Sequence, residues 1–139
     1  MKLLTIIRGA SGSGKSHLAR GLRRYNIRES GITSSTICAD DFMLDENEEY
    51  KFEKDRLPEV HRLCLERVRE EMLHETSNII LHNTSTKRWE YAVYLNLARE
   101  LGYDVQVVDV YGYLDNVHNT PDEVLKRQRD RFEPHRYNS

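Results

Sequence analysis

Residues 9–16 have the residue types and spacing of a loop that binds phosphate. They read Gly-Ala-Ser-Gly-Ser-Gly-Lys-Ser and fit the pattern G-x-x-x-x-G-K-[ST]. Glycines let successive backbone N–H groups turn toward a phosphate, Lys15 would reach the β- and γ-phosphates, and the Ser16 hydroxyl would ligate Mg²⁺. We therefore predict binding of ATP and Mg²⁺, with the metal on Ser16 and the nucleotide on Ala10, Ser11, Gly12, Ser13, Gly14, Lys15, Ser16 and His17.

A pair of carboxylates, Asp40 and Asp41, follows the second apolar run of the chain. Open α/β folds gather their active-site groups at the carboxyl ends of the strands. One of these carboxylates could accept the proton of a hydroxyl group that receives a phosphoryl group. Successive residues at a strand end point in opposite directions, so only one of the two would face the phosphates. The alternative is an acidic pair that caps a helix or lies on the surface.

The elements that must position these groups alternate along the chain. Short apolar runs at residues 3–7, 36–39, 79–81 and 105–110 are typical of buried parallel strands. Helical spacing follows the glycine-rich loop at 17–25, recurs at 57–72 and at 89–101, and begins again near Thr120 and Pro121, to end near residue 132. This alternation predicts an α/β fold of the P-loop NTPase type, in which a parallel sheet of about four strands is flanked by helices in a single domain, residues 1–139.

Composition narrows the class of protein. The chain has 139 residues and a formal charge of −2, so it fits one compact domain and has no general attraction for nucleic acid. Cys38 and Cys64 are too few and too isolated for a disulfide framework or a metal site, and we expect both in the core. The first apolar run is too short for a signal peptide, and no stretch approaches the roughly 20 residues of a membrane span. We expect a soluble, cytoplasmic protein that has no contact with a membrane.

Several groups of residues occur in an order and spacing that is shared with a known family. They are Arg8-Gly9, Cys38-Ala39-Asp40-Asp41-Phe42, Tyr50-Lys51-Phe52, Leu57 with His61 and Cys64, Asn83-Thr84-Ser85-Thr86 followed by Trp89-Glu90, and Arg131-Phe132-Glu133. In these residues nearly the whole chain resembles the polynucleotide-kinase-like P-loop kinases, and in particular the kinase domain of the NEDD4-binding protein 2 family.

The resemblance implies that ATP phosphorylates the 5′-hydroxyl end of DNA or RNA, with Asp40 as the general base. It also implies that Asp41, Asn83 and Thr84 lie close to the phosphates or the substrate. His61 corresponds to a family histidine that would either contact substrate or satisfy a hydrogen bond in the core.

This sequence departs from the family pattern at three positions. His82 stands where the family often has an acidic residue, and Met43 stands where some polynucleotide kinases have an arginine. In the lid-like segment around residues 111–121, Asp115 stands where an arginine is expected. Arg127 and Arg131 are one helical turn apart and could supply the missing positive charge to the transferring phosphoryl group. The alternative for this pair is an exposed, solvated helix face.

Contacts to nucleic acid have two candidate sources. A basic strip of Arg20, Arg23, Arg24 and Arg28 recurs at helical spacing after the loop and could bind backbone phosphates, or it could be a plain exposed face. Five tyrosines could stack on bases or could pack against the core: Tyr91, Tyr94, Tyr103, Tyr111 and Tyr113.

The functions that remain open are a 5′-hydroxyl polynucleotide kinase, a kinase of a nucleoside, nucleotide or sugar, and an ATP-binding module without turnover. The sequence does not predict an oligomeric state.

Overall fold

A computed structural model describes residues 1–111 and 121–136 of the chain. Four strands are present in it, β1 (Leu3–Arg8), β2 (Ser34–Ile37), β3 (Asn78–Asn83) and β4 (Asp104–Asp109). The helices are α1 (Lys15–Arg28), α2 (Leu57–Leu73), α3 (Arg88–Leu101) and α4 (Asp122–Arg131), with short 3-10 helices at Ala39–Phe42 and Lys54–Arg56. None of the helices in these described residues is long and apolar enough to cross a membrane.

The strands form one parallel sheet in the order β2-β3-β1-β4. This arrangement confirms the predicted α/β fold with a parallel sheet that is flanked by helices. The second strand was predicted two residues too late, because Cys38 and Ala39 already turn into the 3-10 helix Ala39–Phe42. Since all strands run the same way, the phosphate-binding loop and the carboxylate pair lie at the same edge of the sheet.

The core lies on both faces of the sheet. One cluster packs Leu4, Ile6, Ile79 and Leu81 against α2 and α3, and a smaller one packs Ile7 and Ile80 against Ala19 of α1. Cys38 and Cys64 are buried and are not disulfide-bonded, as predicted. β1 and β3 are buried on both sides, which is why their sequences read as continuous apolar runs.

The buried face of α3 differs from the predicted stripe. The sequence pattern pointed to Trp89 and Val93, but these side chains are 73% and 45% exposed. Tyr91 and Tyr94 are buried in their place, because a spacing of four residues drifts by about 40° per step around a helix and leaves the core face. The same helix ends at Gly102, whose φ of 76° lies in the left-handed region, as its position after the last helical residue predicted.

The tyrosines divide into two groups. Tyr91, Tyr94 and Tyr103 are buried, and the Tyr103 hydroxyl donates to the Thr76 carbonyl oxygen at 2.7 Å, so these three pack within the protein. Tyr111 is 63% exposed. Tyr113, Asp115 and most of the predicted lid-like segment lie outside the described residues, as does Thr120, the predicted start of the last helix.

Candidate phosphate-binding and active site

The loop between β1 and α1 has a backbone that depends on its glycines. An added Cβ on Gly9 would lie 2.4 Å from the Val110 carbonyl oxygen, so β4 approaches too closely for any side chain there. Gly12 and Gly14 have φ values of 76° and 103°, in the region that favours glycine. Gly14 is also the residue before α1, and no side chain caps the helix, so the first N–H groups of α1 remain open to an anion.

Two hydroxyl groups of the loop have no partner among the described residues. The Ser13 hydroxyl is buried and makes no hydrogen bond, and the Ser16 hydroxyl at the start of α1 makes none either. A buried polar atom without a partner, such as the Ser13 hydroxyl, is uncommon in folded proteins, whereas the Ser16 hydroxyl is partly exposed and open to a ligand. In the described part of the chain, no three His, Cys, Asp or Glu side chains are grouped so as to hold a metal ion. Binding of Mg²⁺ by Ser16 stays a prediction.

Lys15 is the cation that lies in this loop. Its ammonium donates to the Ala10 carbonyl oxygen at 3.0 Å. Burial lowers the pKa of Lys15 from 10.5 to about 8, while the negative charge of Asp40 acts in the opposite direction. The ammonium is thus partly desolvated and has few internal partners, which is the state in which a triphosphate would interact with it most strongly.

The two carboxylates of the 3-10 helix have different surroundings. Asp41 accepts the backbone N–H of Cys38 at 3.2 Å through Oδ2 and so caps the start of this short helix. Asp40 is exposed and lies close enough to Lys15 to favour its charged form. Burial, followed by the two aspartates, raises the pKa of the Cys38 thiol to about 12, so Cys38 is a neutral group beside them. Asp41 is therefore engaged with the backbone, while Asp40 lies within electrostatic reach of Lys15.

Asn83 and Thr84 follow β3 and brace the site from within. The Asn83 side-chain oxygen accepts the Ala39 N–H at 2.7 Å, and its amide points at the Cys64 sulfur at 3.8 Å. The Thr84 carbonyl oxygen accepts the Gly9 N–H at 3.3 Å. Asn83 thus fixes the helix that carries the carboxylates, and Thr84 fixes the first residue of the loop. Contact of either residue with substrate stays a prediction.

His82 lies on the side of β3 that faces α1, as does Ile80 two residues before it. Burial lowers the pKa of its imidazole to about 4; the negative charge of Asp41 opposes this shift, and the positive charges of Lys15 and Arg20 add to it. The ring makes no hydrogen bond with a described residue. A neutral imidazole, which carries no negative charge near pH 7, therefore stands beside Lys15.

Comparison with known proteins fits this geometry. Residues 4–111 match the sequence profile of a family described as an AAA domain. The chain belongs to this family of P-loop kinases. Over 103 residues it is 37% identical to human (Homo sapiens) NEDD4-binding protein 2, and that stretch is 74% of this chain but only 6% of the relative.

Solved structures share the fold of this kinase domain. A chain of the Pnkp1/Rnl/Hen1 RNA repair complex superposes with a TM-score of 0.72 and 18% identity, over 94% of this chain and 44% of that chain. The Mycobacterium tuberculosis APS kinase CysC in complex with AMPPNP and APS superposes with a TM-score of 0.58 and 22% identity, over 91% of this chain and 68% of that chain. At these identities the superpositions show a common fold and no more.

The arginines of α4 that were predicted to act in transfer, Arg127 and Arg131, make no hydrogen bond with the described residues of the loop. Arg127 is exposed, and Arg131 forms an ion pair with Glu90 of α3 at 3.0 Å. The residue of α4 that reaches the loop is Gln128, whose side-chain oxygen accepts the Ser11 N–H at 2.8 Å. Sequence reasoning missed Gln128, since a glutamine on a polar helix carries no signal of its own. The role of Arg127 and Arg131 in transfer stays a prediction.

Two other sequence predictions are resolved by burial. Met43 is 2% exposed, so the position that departs from the arginine of some polynucleotide kinases belongs to the interior of this kinase domain. His61 is exposed on α2 and does not lie in the core. Of the two interpretations given for His61, the core hydrogen bond is therefore wrong.

Arg8, directly before the loop, is a buried residue with several partners, which sequence reasoning did not predict. Its side chain is 0% exposed and pairs with Asp109 at the end of β4 at 3.0 Å. Its guanidinium also donates to the carbonyl oxygens of Ser85 at 2.8 Å, Thr86 at 3.1 Å and Glu133 at 2.7 Å. Because Glu133 follows α4, this one side chain ties the C-terminal segment to the residue that precedes the loop.

Aromatic rings complete the surroundings of Arg8. The guanidinium carbon lies 4.4 Å from the centroid of Tyr91 and 4.6 Å from that of Phe132. Arginine is suited to such a place because its planar, weakly hydrated cation stacks on rings while its edge donates hydrogen bonds. The family motifs around Arg8-Gly9 and Arg131-Phe132-Glu133 are therefore in direct contact.

Proposed function

We propose that this domain transfers the γ-phosphate of ATP to the 5′-hydroxyl end of DNA or RNA. The observation that carries the proposal is the position of Asp40, an exposed carboxylate within electrostatic reach of the Lys15 ammonium. A proton acceptor thus stands beside the group that would hold the β- and γ-phosphates. Relatives support a polynucleotide acceptor: the 37% identity to NEDD4-binding protein 2, and the fold shared with a chain of an RNA repair complex.

The residues of this chain have distinct tasks in the proposed reaction. The loop amides and Lys15 bind the triphosphate, and Ser16 would hold Mg²⁺, which shields the phosphate charge when bound. Asp40 accepts the proton of the 5′-hydroxyl group while the oxygen of that hydroxyl group forms the bond to the γ-phosphorus. The bond from that phosphorus to the bridging oxygen breaks, and ADP leaves with the electron pair. Asp41 and Asn83 hold the short helix that presents Asp40.

The acceptor side of the site is open to solvent. Asp40 and Asp41 are exposed, and beside Asp41 lies an open concavity of ≈ 260 Å³ that is lined by Thr36, Ile37, Asp41, Phe42 and Arg67. An open surface accommodates the end of a long chain, whereas small-molecule sites are usually enclosed.

Two free cysteines and the use of ATP fit a reducing compartment, and we include a cytoplasmic location in the proposal.

A second candidate is a kinase of a small molecule. The observation that favours it is the fold shared with an APS kinase that was solved in complex with AMPPNP and APS. The same loop and carboxylate would serve either acceptor, because the chemistry at the γ-phosphate is the same. The two functions therefore differ only in what is phosphorylated.

Transfer of labelled γ-phosphate from ATP in the presence of Mg²⁺ tests the proposal. Acceptors are single-stranded DNA and RNA with 5′-hydroxyl ends, the same strands with 5′-phosphate ends as matched controls, and a panel of nucleosides, sugars and APS. We expect label on the 5′-hydroxyl strands alone and none with Lys15→Ala. Label on a small molecule only would replace the acceptor, and ATP binding without transfer to any acceptor would favour a binding module.

A further inference from the structure

Helix α1 carries an unbalanced positive charge. It contains five Lys or Arg side chains and no Asp or Glu, although the whole chain has a net charge of −2. Four of these residues form the arginine strip: Arg20, Arg23, Arg24 and Arg28. All four are exposed, and none of them pairs with a carboxylate in the described part of the chain. Arg23 alone makes a hydrogen bond, to the Ser34 carbonyl oxygen at 3.2 Å.

On other helices of the same protein some arginines pair with a carboxylate of their own helix, although single arginines such as Arg69 and Arg99 do not. On α2, Arg62 pairs with Glu66 at 2.8 Å and Arg67 pairs with Glu71 at 3.0 Å, both across one helical turn. Solvation of a helix therefore does not require unpaired arginines in this protein. The arginine strip is a local excess of charge, which is the electrostatic property that a nucleic-acid backbone would recognise.

One flank of α1 lies beside the strand that leads to the carboxylates. Ala19 and Asn26 form the buried side of α1, so Arg20 and Arg23, at about 100° per residue, fall on one flank of the helix. The bond from Arg23 to Ser34 identifies this flank as the one beside β2, an edge strand of the sheet. Arg24 and Arg28 continue outward from the same flank.

The strip begins at the active-site edge and runs away from it. Arg20 lies near enough to His82 for its charge to act on that imidazole, and the charge of Asp41 acts on the same ring. From Arg20 to Arg28 the helix rises by about 12 Å, at about 1.5 Å per residue. At about 3.4 Å per phosphate, the axial rise along one strand of a stacked helix, this length spans three or four phosphates of a stacked acceptor strand.

We propose that the arginine strip holds the backbone of the acceptor strand, over about three or four phosphates downstream of the 5′-hydroxyl that Asp40 activates. The proposal rests on the polynucleotide kinase function given above and specifies where the rest of the strand lies. Contacts to phosphate carry no sequence information, so the strip makes the enzyme sensitive to acceptor length but not to sequence. An acceptor of two nucleotides has a single phosphate and would not reach Arg24 and Arg28, which lie about 14 Å and about 20 Å along α1 from Lys15.

Acceptor kinetics with the full chain test this path. The variant Arg24→Gln/Arg28→Gln removes two exposed cations that form no hydrogen bond or ion pair with a described residue, and Arg69→Gln/Arg99→Gln removes two exposed cations from α2 and α3 as the matched control. For an acceptor of about ten nucleotides we expect the strip variant to raise KM roughly 2- to 30-fold, as two exposed ion pairs would. Its KM for a dinucleotide, its KM for ATP and its kcat should stay at wild-type values, as should all constants of the control.

Salt dependence is a second readout. The slope of log kcat/KM against log salt for the ten-nucleotide acceptor should become shallower by about 1.4, at about 0.7 per phosphate contact on a single strand. Equal KM values for two- and ten-nucleotide acceptors in the wild type would overturn the proposal. Equal losses of kcat/KM in the strip variant and in the control would also overturn it. So would the finding that polyglutamate competes as well as an oligonucleotide of equal charge.

Failure of the proposed function gives a different pattern. If the wild type phosphorylates no polynucleotide of any length, fluorescence anisotropy with a labelled ten-nucleotide strand decides the question of the strip. Binding that is lost in the strip variant and kept in the control would retain the strip as a nucleic-acid surface. Absence of binding by the wild type would overturn both proposals.

Discussion

Replacement of Arg8 by methionine should destabilise the protein strongly, because its guanidinium is buried and fully engaged. The substitution keeps most of the apolar length but leaves Asp109 without its ion-pair partner. It also removes the donor from three carbonyl oxygens, those of Ser85, Thr86 and Glu133. Breaking a buried ion pair by removing one partner costs about 3–5 kcal/mol. We expect a loss of that size in the free energy of unfolding, against a total of about 5–15 kcal/mol for a typical domain.

Urea unfolding followed by circular dichroism measures this loss, with Arg99→Met as the exposed control. Arg8→Lys should recover only part of it, because one ammonium cannot reach Asp109 on one side and the three carbonyls on the other. If Arg8→Met lowers the free energy of unfolding by less than about 1 kcal/mol, the guanidinium does not have the structural role assigned to it.

Release of the C-terminal segment gives an independent check on the same reasoning. Arg8 binds the Glu133 carbonyl oxygen, and Asp109 accepts the His135 N–H at 3.0 Å, so both ends of the ion pair hold this segment. Trypsin should therefore cut after Arg131 faster in Arg8→Lys than in the wild type, under conditions in which the remainder of the chain stays folded. Equal cutting rates would show that other contacts suffice to hold the segment.

Three further predictions concern the chemistry. Asp40→Asn should abolish phosphate transfer while sparing ATP affinity, and Asp41→Asn should cost less; the reverse order in single-turnover rates would exchange their roles. Because burial lowers the Lys15 pKa to about 8, the folded chain binds fewer protons than the unfolded chain between about pH 8 and 10.5. The stability of the nucleotide-free protein should therefore rise with pH in this range, and the affinity for ATP should fall. Calorimetry should show neither trend in Lys15→Ala. His82→Asp should lower the Mg²⁺ concentration that gives half-maximal transfer. It should also raise the pH at which ATP affinity falls, since a carboxylate beside Lys15 favours the ammonium form of that lysine. His82→Asn should have neither effect.

The sequence predicted those features that depend on neighbours along the chain. The loop, its left-handed glycines and the helix after it lie within about twenty residues, so one local pattern specifies all of them. Arg8 could not be predicted in the same way. Its partners are 77 residues away at Ser85 and 125 residues away at Glu133, and no local spacing announces a contact of that kind. The prediction of the buried face of α3 was wrong for a related reason. The hydroxyl of Tyr91 does not suggest burial, and its partner His135, at 2.7 Å, is 44 residues away in the sequence.

The polar groups that the fold leaves unsatisfied indicate where a ligand belongs. Elsewhere in the described chain, buried polar side chains bind one another; Asn26, for example, donates to Asn78 at 2.7 Å. Three polar side chains without a hydrogen bond to a described residue, Ser13, Ser16 and His82, lie around the carboxyl ends of β1 and β3. Buried polar groups normally find partners, so the buried Ser13 hydroxyl is an exception, while Ser16 and His82 are partly exposed and can bind a partner from outside the chain. The loop is fixed by later elements through Thr84, Val110 and Gln128, so these exceptions are part of a braced structure and not of a loose one.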